Sequence, residues 1–270
     1  MEQESFLAGV VQLNTGDNWE YNQEQLRIYA RQAADQGVQY LQFPETSDYI
    51  GEEMGSFARR HAGEARQFFS ELAKKHHIYL NCGSITEHIE GSKPANTSYL
   101  FAPDGSCIAR YRKLHLFDVA VEDGPVFRES DEILAGDCIV NAATDYGSFG
   151  LSICYDLRFP ELYRRQALLG AEVLCVSANF TRHTGAAHWK PLLQARAIEN
   201  TCYVIAAGQC GNNRAFEAYG HSMVLDPWGE VLAEAGDAPE LLTARIDPGR
   251  LREVRRQLPC LANRRGDVYP

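Results

Sequence analysis

The chain has 270 residues, 45% of them apolar, which is enough for a sizeable hydrophobic core and fits one large α/β domain. Its 26 Lys and Arg against 36 Asp and Glu leave a formal charge of -10, so the long-range attraction to phosphate backbones is lacking and nucleic acid is excluded as a partner. No apolar run approaches the roughly 18 residues of a membrane span. The acidic start Met1-Glu2-Gln3-Glu4 also lacks the basic and apolar regions of a signal peptide, so no membrane partner is expected and the cytoplasm is the expected location.

Phe6 to Leu13 predicts a buried strand, followed by a helix with Leu26, Tyr29, Ala30 and Ala33 on one face and Gly37 as its stop. Val38 to Phe43 is the next strand. A helix over about Glu64 to His77 carries Ala65, Phe68, Leu72 and Ala73 as its apolar stripe and returns to a strand at Ile78 to Ser84. Thr97 to Phe101 and Cys107 to Arg112, joined by the turn Pro103-Asp104-Gly105, predict an antiparallel hairpin. Ile139 to Ala142 and Ser148 to Ile153, across Asp145-Tyr146-Gly147, predict a second. A helix from Pro160 to Leu169 stops at Gly170, and a strand follows at Val173 to Val176. Then come a helix from Ala187 to about Thr201 and a strand at Tyr203 to Ala207. Strands over Ser222 to Leu225, Glu230 to Glu234 and Leu241 to Ile246, the first two joined by Asp226-Pro227-Trp228-Gly229, precede a last helix that Asp247 caps, with Pro248 in first position. About eleven strands with four or five helices, without linker or repeat, predict two mixed sheets face to face with helices outside, in a single domain over residues 1–270.

Eight cysteines, at 82, 107, 138, 154, 175, 202, 210 and 260, include no CxxC pair and no Cys/His cluster at zinc spacing. Neither a disulfide framework nor a metal site is expected, and the sequence asks for no cofactor. Cys82, Cys175 and Cys202 fall within or beside apolar strand runs, where a free cysteine acts as a small hydrophobe. Cys154 differs: it closes the run Gly150-Leu151-Ser152-Ile153 just before a proline-started helix, at the kind of strand-to-helix turn where α/β folds present a nucleophile. A free thiol, with a pKa of about 8.5, is mostly protonated at neutral pH and needs a base or a cation beside it. Glu45, in Gln42-Phe43-Pro44-Glu45-Thr46, and Lys113, in Tyr111-Arg112-Lys113-Leu114-His115, each follow a strand and are expected at the sheet edge that presents Cys154. Glu45 is the candidate base, and Lys113 the candidate cation. A thiol hydrolase of another class would use His188 or His221, and nothing in the spacing favours it.

Phe43-Pro44-Glu45, the block Tyr111 to Asp118 and the block Cys154-Tyr155-Asp156-Leu157-Arg158-Phe159-Pro160-Glu161-Leu162 together resemble the three signatures of the nitrilase superfamily, the carbon-nitrogen hydrolases. The likeness runs from the first strand to Arg264-Arg265-Gly266-Asp267-Val268-Tyr269. It implies a four-layer α-β-β-α sandwich with two mixed sheets that pairs back to back as a homodimer or a higher even oligomer. Residue by residue, it makes Glu45 the general base, Lys113 the cationic electrophile and Cys154 the nucleophile. Glu129, in Phe127-Arg128-Glu129-Ser130, matches the second glutamate that holds the lysine. Tyr155, Asn179, Phe180 and Thr181 are expected at the substrate, with Arg158 and Arg182 nearby. The block after Cys154 and Ala207-Gly208-Gln209-Cys210-Gly211 are most similar to the branch of omega-amidases and deaminated glutathione amidases, from which Ser177-Ala178-Asn179-Phe180 departs. The implied reaction is hydrolysis by water of the amide C–N bond of a small carboxylate-bearing amide, through a thioester. An N-carbamoyl amide hydrolase or a nitrilase is the alternative within the superfamily, and a nitrilase-like binding module without chemistry is the alternative outside enzymes.

Overall fold

A strand that is apolar on both faces must be covered on both sides, and the first strand, β1 (Phe6–Gln12), is buried at every position except Leu7. The computed structural model, which describes residues 4–120, 126–213 and 216–269, supplies both covers. After β1 come α1 (Trp19–Asp35), β2 (Tyr40–Gln42), α2 (Met54–Arg60), α3 (Glu64–His76) and β3 (Tyr79–Asn81). The short β4 (Ile85–Glu87) and the hairpin of β5 (Ala95–Phe101) and β6 (Cys107–Arg112) follow. A small antiparallel pair, β7 (Asp118–Ala120) and β8 (Val126–Arg128), precedes β9 (Asn141–Thr144) and β10 (Gly147–Ile153). Next are α4 (Pro160–Leu168), β11 (Val173–Ala178), α5 (Arg182–Asn200) and β12 (Tyr203–Gly208), then a second small pair, β13 (Cys210–Asn212) and β14 (Glu217–Tyr219). The chain finishes through β15 (Met223–Leu225), β16 (Val231–Glu234), β17 (Glu240–Ile246) and α6 (Pro248–Gln257).

One sheet has the order β17-β1-β2-β3-β5-β4 with β6 paired to β5, and the other the order β16-β15-β12-β11-β10-β9. β1, β2 and β3 run parallel, as do β10, β11 and β12, while the hairpin strands are antiparallel, so both sheets are mixed. Val10, Tyr40 and Tyr111 of the first sheet share one apolar core with Leu151, Cys175 and Ile205 of the second. Val11, Leu41 and Leu80 face the other way, against Leu26 and Ala30 of α1 and Phe69 and Leu72 of α3. α4 and α5 cover the second sheet. The layering is α-β-β-α, and no helix among the described residues is long and apolar enough to cross a membrane.

The structure departs from the sequence reading at several points, and β9 covers Asn141–Thr144 in place of Ile139 to Ala142. The strand expected over Ile78 to Ser84 ends at Asn81, because Gly83 turns with φ +76° at a point where a Cβ would strike the Pro44 carbonyl oxygen. That close approach seats the loop carrying Glu45. α5 starts at Arg182 rather than Ala187, since the Thr181 side chain caps it by accepting the Thr184 N–H. α2 and the three-residue strands β4, β7, β8, β13 and β14 are too short for periodicity to register, and have no counterpart in the sequence reading.

Candidate active site

The loops that leave β2, β6, β10 and β11 at their carboxyl ends contribute Glu45, Lys113, Cys154 and Asn179 to one cleft of about 850 Å³. The sequence reading puts Glu45 and Lys113 on the same sheet edge as Cys154. They stand instead on the first sheet and Cys154 on the second, so the cleft opens between two facing edges.

Cys154 directly follows β10 and opens a 3₁₀ turn over Cys154–Arg158. Its φ of +48° lies in the left-handed region, which a non-glycine residue adopts at a cost of about 1–3 kcal/mol. Asp156 offsets that cost. Its fully buried carboxylate accepts the Ile153 N–H at 2.9 Å, the Tyr111 hydroxyl at 2.6 Å and the His115 N–H at 3.0 Å, tying the turn to the segment around Lys113. Arg196 fastens the far end of the turn, donating twice to the Leu157 carbonyl at 3.2 and 2.9 Å.

Lys113 and Glu45 are 2% and 4% exposed, so their charges must be answered by neighbours. Lys113 Nζ donates to Glu45 Oε1 at 3.0 Å and to the two Glu129 oxygens at 3.0 and 2.8 Å, which engages all of its ammonium protons. Glu129 is itself fixed by the Phe117 N–H at 2.6 Å. Glu45 also accepts Asn96 Nδ2 on Oε1 at 2.9 Å and the Asn179 N–H on Oε2 at 2.8 Å. Burial works against the Lys113 ammonium, yet Glu45, Glu129 and Cys154 outweigh it and hold its pKa well above the ordinary lysine value. The Cys154 thiol faces Glu45 and the Asn179 N–H. Burial first and Glu45 second push its pKa well above the ordinary thiol value, with Lys113 opposing. Burial and Glu45 thus favour the neutral form of the Cys154 thiol, against the thiolate that Lys113 alone would favour.

Tyr155, Asn179, Phe180 and Thr181 all line the cleft. The Thr181 hydroxyl lies 2.8 Å from that of Thr184, and Asn179 Oδ1 accepts from Asn213 Nδ2 at 3.0 Å. Arg158 lines it too, its guanidinium 5.2 Å from the Phe180 ring centre and 3.1 Å from His188 Nδ1. Arg182 does not: Asp237 and Glu217 hold it outside the lining. His188 and His221 are also outside it, His221 stacking on Tyr219. Among the described residues, no group of three His, Cys, Asp or Glu is placed to hold a metal ion. The sequence reading misses Asn96, and Met54 and Arg59 on the α2 wall. Asn96 lies just before the strand expected from Thr97, and only the structure extends β5 back to Ala95 and buries it along its whole length. The α2 wall leaves no signal in the sequence.

A buried thiol in one cleft with a paired carboxylate and ammonium has the parts that hydrolysis through a covalent intermediate needs: a nucleophile, a base and a cation. The model of the carbon-nitrogen hydrolase family matches residues 7–256, and the chain belongs to that family. It is 41% identical over 266 residues to the deaminated glutathione amidase of a Synechocystis species, covering 96% of this chain and 98% of that one. It is 39% identical over 268 residues to omega-amidase NIT2 of Homo sapiens, covering 98% and 97%. The crystal structure of the C. elegans NitFhit protein matches with a TM-score of 0.94 at 36% identity, over 100% of this chain and 67% of that one.

Proposed function

We propose that the chain hydrolyses the amide C–N bond of a small carboxylate-bearing amide, either an omega-amide or a compound like deaminated glutathione. Cys154 is the nucleophile, Glu45 the general base, Lys113 the electrophile and Glu129 the residue that holds it. The observation that carries this reading is the Glu45 carboxylate, bound to Lys113 and facing the Cys154 thiol at the cleft wall. The names of the two amidase relatives supply the substrate class.

Glu45 takes the Cys154 proton as the sulfur attacks the carbonyl carbon, and the carbonyl pair moves onto oxygen. The first N–H groups of a 3₁₀ turn have no partner within it, so the Tyr155 N–H is available to the oxyanion. Lys113 exchanges one carboxylate contact for the same oxygen, and one such donor is worth about 3 kcal/mol in the transition state. Glu45 returns the proton to the departing nitrogen, which leaves with the C–N electron pair as ammonia or an amine. Glu45 then takes a proton from water, whose oxygen attacks the thioester carbonyl, and the acid departs as Cys154 regains its proton.

Arg158 lines the cleft with no carboxylate partner among the described residues, and Tyr155, Asn179, Phe180 and Thr181 surround it, which supports recognition of a substrate carboxylate. Losing one charged hydrogen bond costs about 1.5–3 kcal/mol, roughly tenfold or more in kcat/KM. Ammonia release from omega-amides, gamma-glutamyl amides, aliphatic amides, nitriles and N-carbamoyl acids tests this. Omega-amides of dicarboxylic acids should outrun butyramide by at least about tenfold, with nitriles poor. Comparable turnover of butyramide sinks carboxylate recognition. A preference for nitriles or N-carbamoyl acids moves the chain to another branch, and no turnover at all leaves a binding module.

The same reading takes residues 1–270 as one domain, places the protein in the cytoplasm and makes it a homodimer. Ile198 of α5 and Trp228 are 45% and 47% exposed, and the turn at Gly229 packs against Ile198, an apolar patch suited to a second copy. Trp228→Glu should then lower the mass seen by light scattering from dimer to monomer.

A further inference from the structure

β5 places one amide side chain against the proposed base. Asn96 is 6% exposed and lines the cleft; its Nδ2 donates to Glu45 Oε1 at 2.9 Å, and its backbone carbonyl accepts the Lys113 N–H at 2.9 Å. An ionised carboxylate only accepts, so the amide nitrogen has to face Glu45. Asn96 Oδ1 is consequently turned to where no described residue gives it a partner. A buried amide oxygen in that state destabilises the fold, and a residue kept in this strand for packing alone would be valine or threonine. The contact with Glu45 is what the asparagine offers in return.

The donors on Glu45 are unevenly shared. Oε1 accepts from Lys113 Nζ at 3.0 Å and Asn96 Nδ2 at 2.9 Å, which fills both its lone pairs. Oε2 accepts from the Asn179 N–H at 2.8 Å and keeps one lone pair, and Glu45 and the Asn179 backbone both act on the Cys154 thiol. Building on the reading of Glu45 as general base, we propose that Asn96 is a positioning residue for it. With Lys113 it occupies Oε1 and leaves Oε2 as the oxygen that takes the thiol proton and passes it to the leaving nitrogen. No bond to Asn96 changes during the reaction: the S–H proton moves to Oε2 as sulfur attacks, and from Oε2 to nitrogen as the C–N bond breaks. Without Asn96, Oε1 has an open lone pair on the side of Lys113, where a proton is misplaced for transfer, and the carboxylate loses a donor that favours its charged form.

Asn96→Ala and Asn96→Leu separate this role from packing, because both remove the donor while leucine keeps the volume. Expected for both is a fall in kcat of about tenfold to 100-fold on an omega-amide of a ketodicarboxylate, with KM changed by less than about threefold. The acidic limb of the kcat/KM profile should also move to higher pH in both. A merely structural role gives Asn96→Leu near wild-type turnover, or leaves the limb in place in both variants, and either result overturns the proposal. If only one variant folds, its acidic limb decides. Glu45→Gln keeps the two failures apart. Retention of more than about a tenth of turnover in that variant removes the base role itself, whereas an inactive Glu45→Gln beside an active, unshifted Asn96→Leu removes the Asn96 proposal alone.

Discussion

Between the sheets lies a strip of buried neutral polar groups. Gln42 Nε2 donates to the Val176 and Ile205 carbonyls at 2.9 and 3.2 Å, and the Tyr40 hydroxyl stands 3.0 Å from both Gln42 Oε1 and Cys175 Sγ. At the sheet ends, Glu45, Lys113 and Cys154 are nearly as well buried, but there the groups are charged and the cysteine sits on a left-handed turn. Cys175 occupies ordinary strand backbone in β11, with a phenol for a partner, and burial pushes its thiol up to about 12. A neutral group that finds its hydrogen bonds cross-links two sheets at small cost. Burying ions and adding backbone strain cost more than a packed apolar alternative, so stability accounts for the first cluster and not for the second.

The sharpest way to break this contrast is Glu45→Gln, which keeps shape and removes the carboxylate, and with it the proposed proton transfer. Turnover per folded molecule should fall about 100-fold to 10,000-fold with the circular dichroism spectrum little changed. A variant that retains turnover erases the distinction between the clusters.

Asp48 tests what burial does to a carboxylate that lacks a cation. It is buried, accepts the Thr86 N–H at 3.2 Å and has no ion-pair partner among the described residues; burial raises its pKa from 3.8 to about 7. Because the folded value lies above the unfolded one, the stability linked to its proton is fully present below about pH 4 and is lost as pH rises through about 7. Asp48→Asn should flatten the pH dependence of unfolding free energy over that window in urea titrations, and an unchanged slope refutes the burial account.

Gln42→Leu is the counterpart in the neutral strip. Leaving the Val176 and Ile205 carbonyls without this donor should cost about 1–3 kcal/mol of stability, read from urea unfolding, while turnover per folded molecule stays within about threefold. A selective loss of turnover would place the strip in the chemistry. The smallest effect expected is in labelling: iodoacetamide should alkylate Cys154, which lines the cleft, at least about tenfold faster than Cys82, Cys175 or Cys202, as measured by peptide mapping. Equal rates would mean that the cleft wall confers no special access.

Much of this was legible in the residues because it is local. The hairpins around Pro103-Asp104-Gly105 and Asp145-Tyr146-Gly147 follow from turn chemistry, and the helices α1, α3 and α4 follow from their apolar stripes. The break after Ile153 is likewise visible as a strand pattern meeting a proline-started helix. The order of Glu45, Lys113 and Cys154 along the chain could be read together with the motifs around them.

What required the tertiary structure is whatever depends on partners far along the chain. Leu241 to Ile246 reads as a strand, but only packing decides that β17 leaves β16 behind and pairs with β1 in the other sheet, Phe6 against Ile246. That choice turns on which faces remain uncovered once both sheets have formed, and no local pattern encodes it. For the same reason Glu45 and Lys113 approach Cys154 across the gap between two sheets instead of along one edge. The left-handed turn of Cys154 depends on Asp156 reaching Tyr111 and His115, and the donors on Glu45 depend on Asn96 and Asn179, each from a different strand end or sheet. Residue types and their order are properties of the sequence. Which lone pair receives which proton is decided by distances of about 3 Å between segments that meet only when the sheets pack.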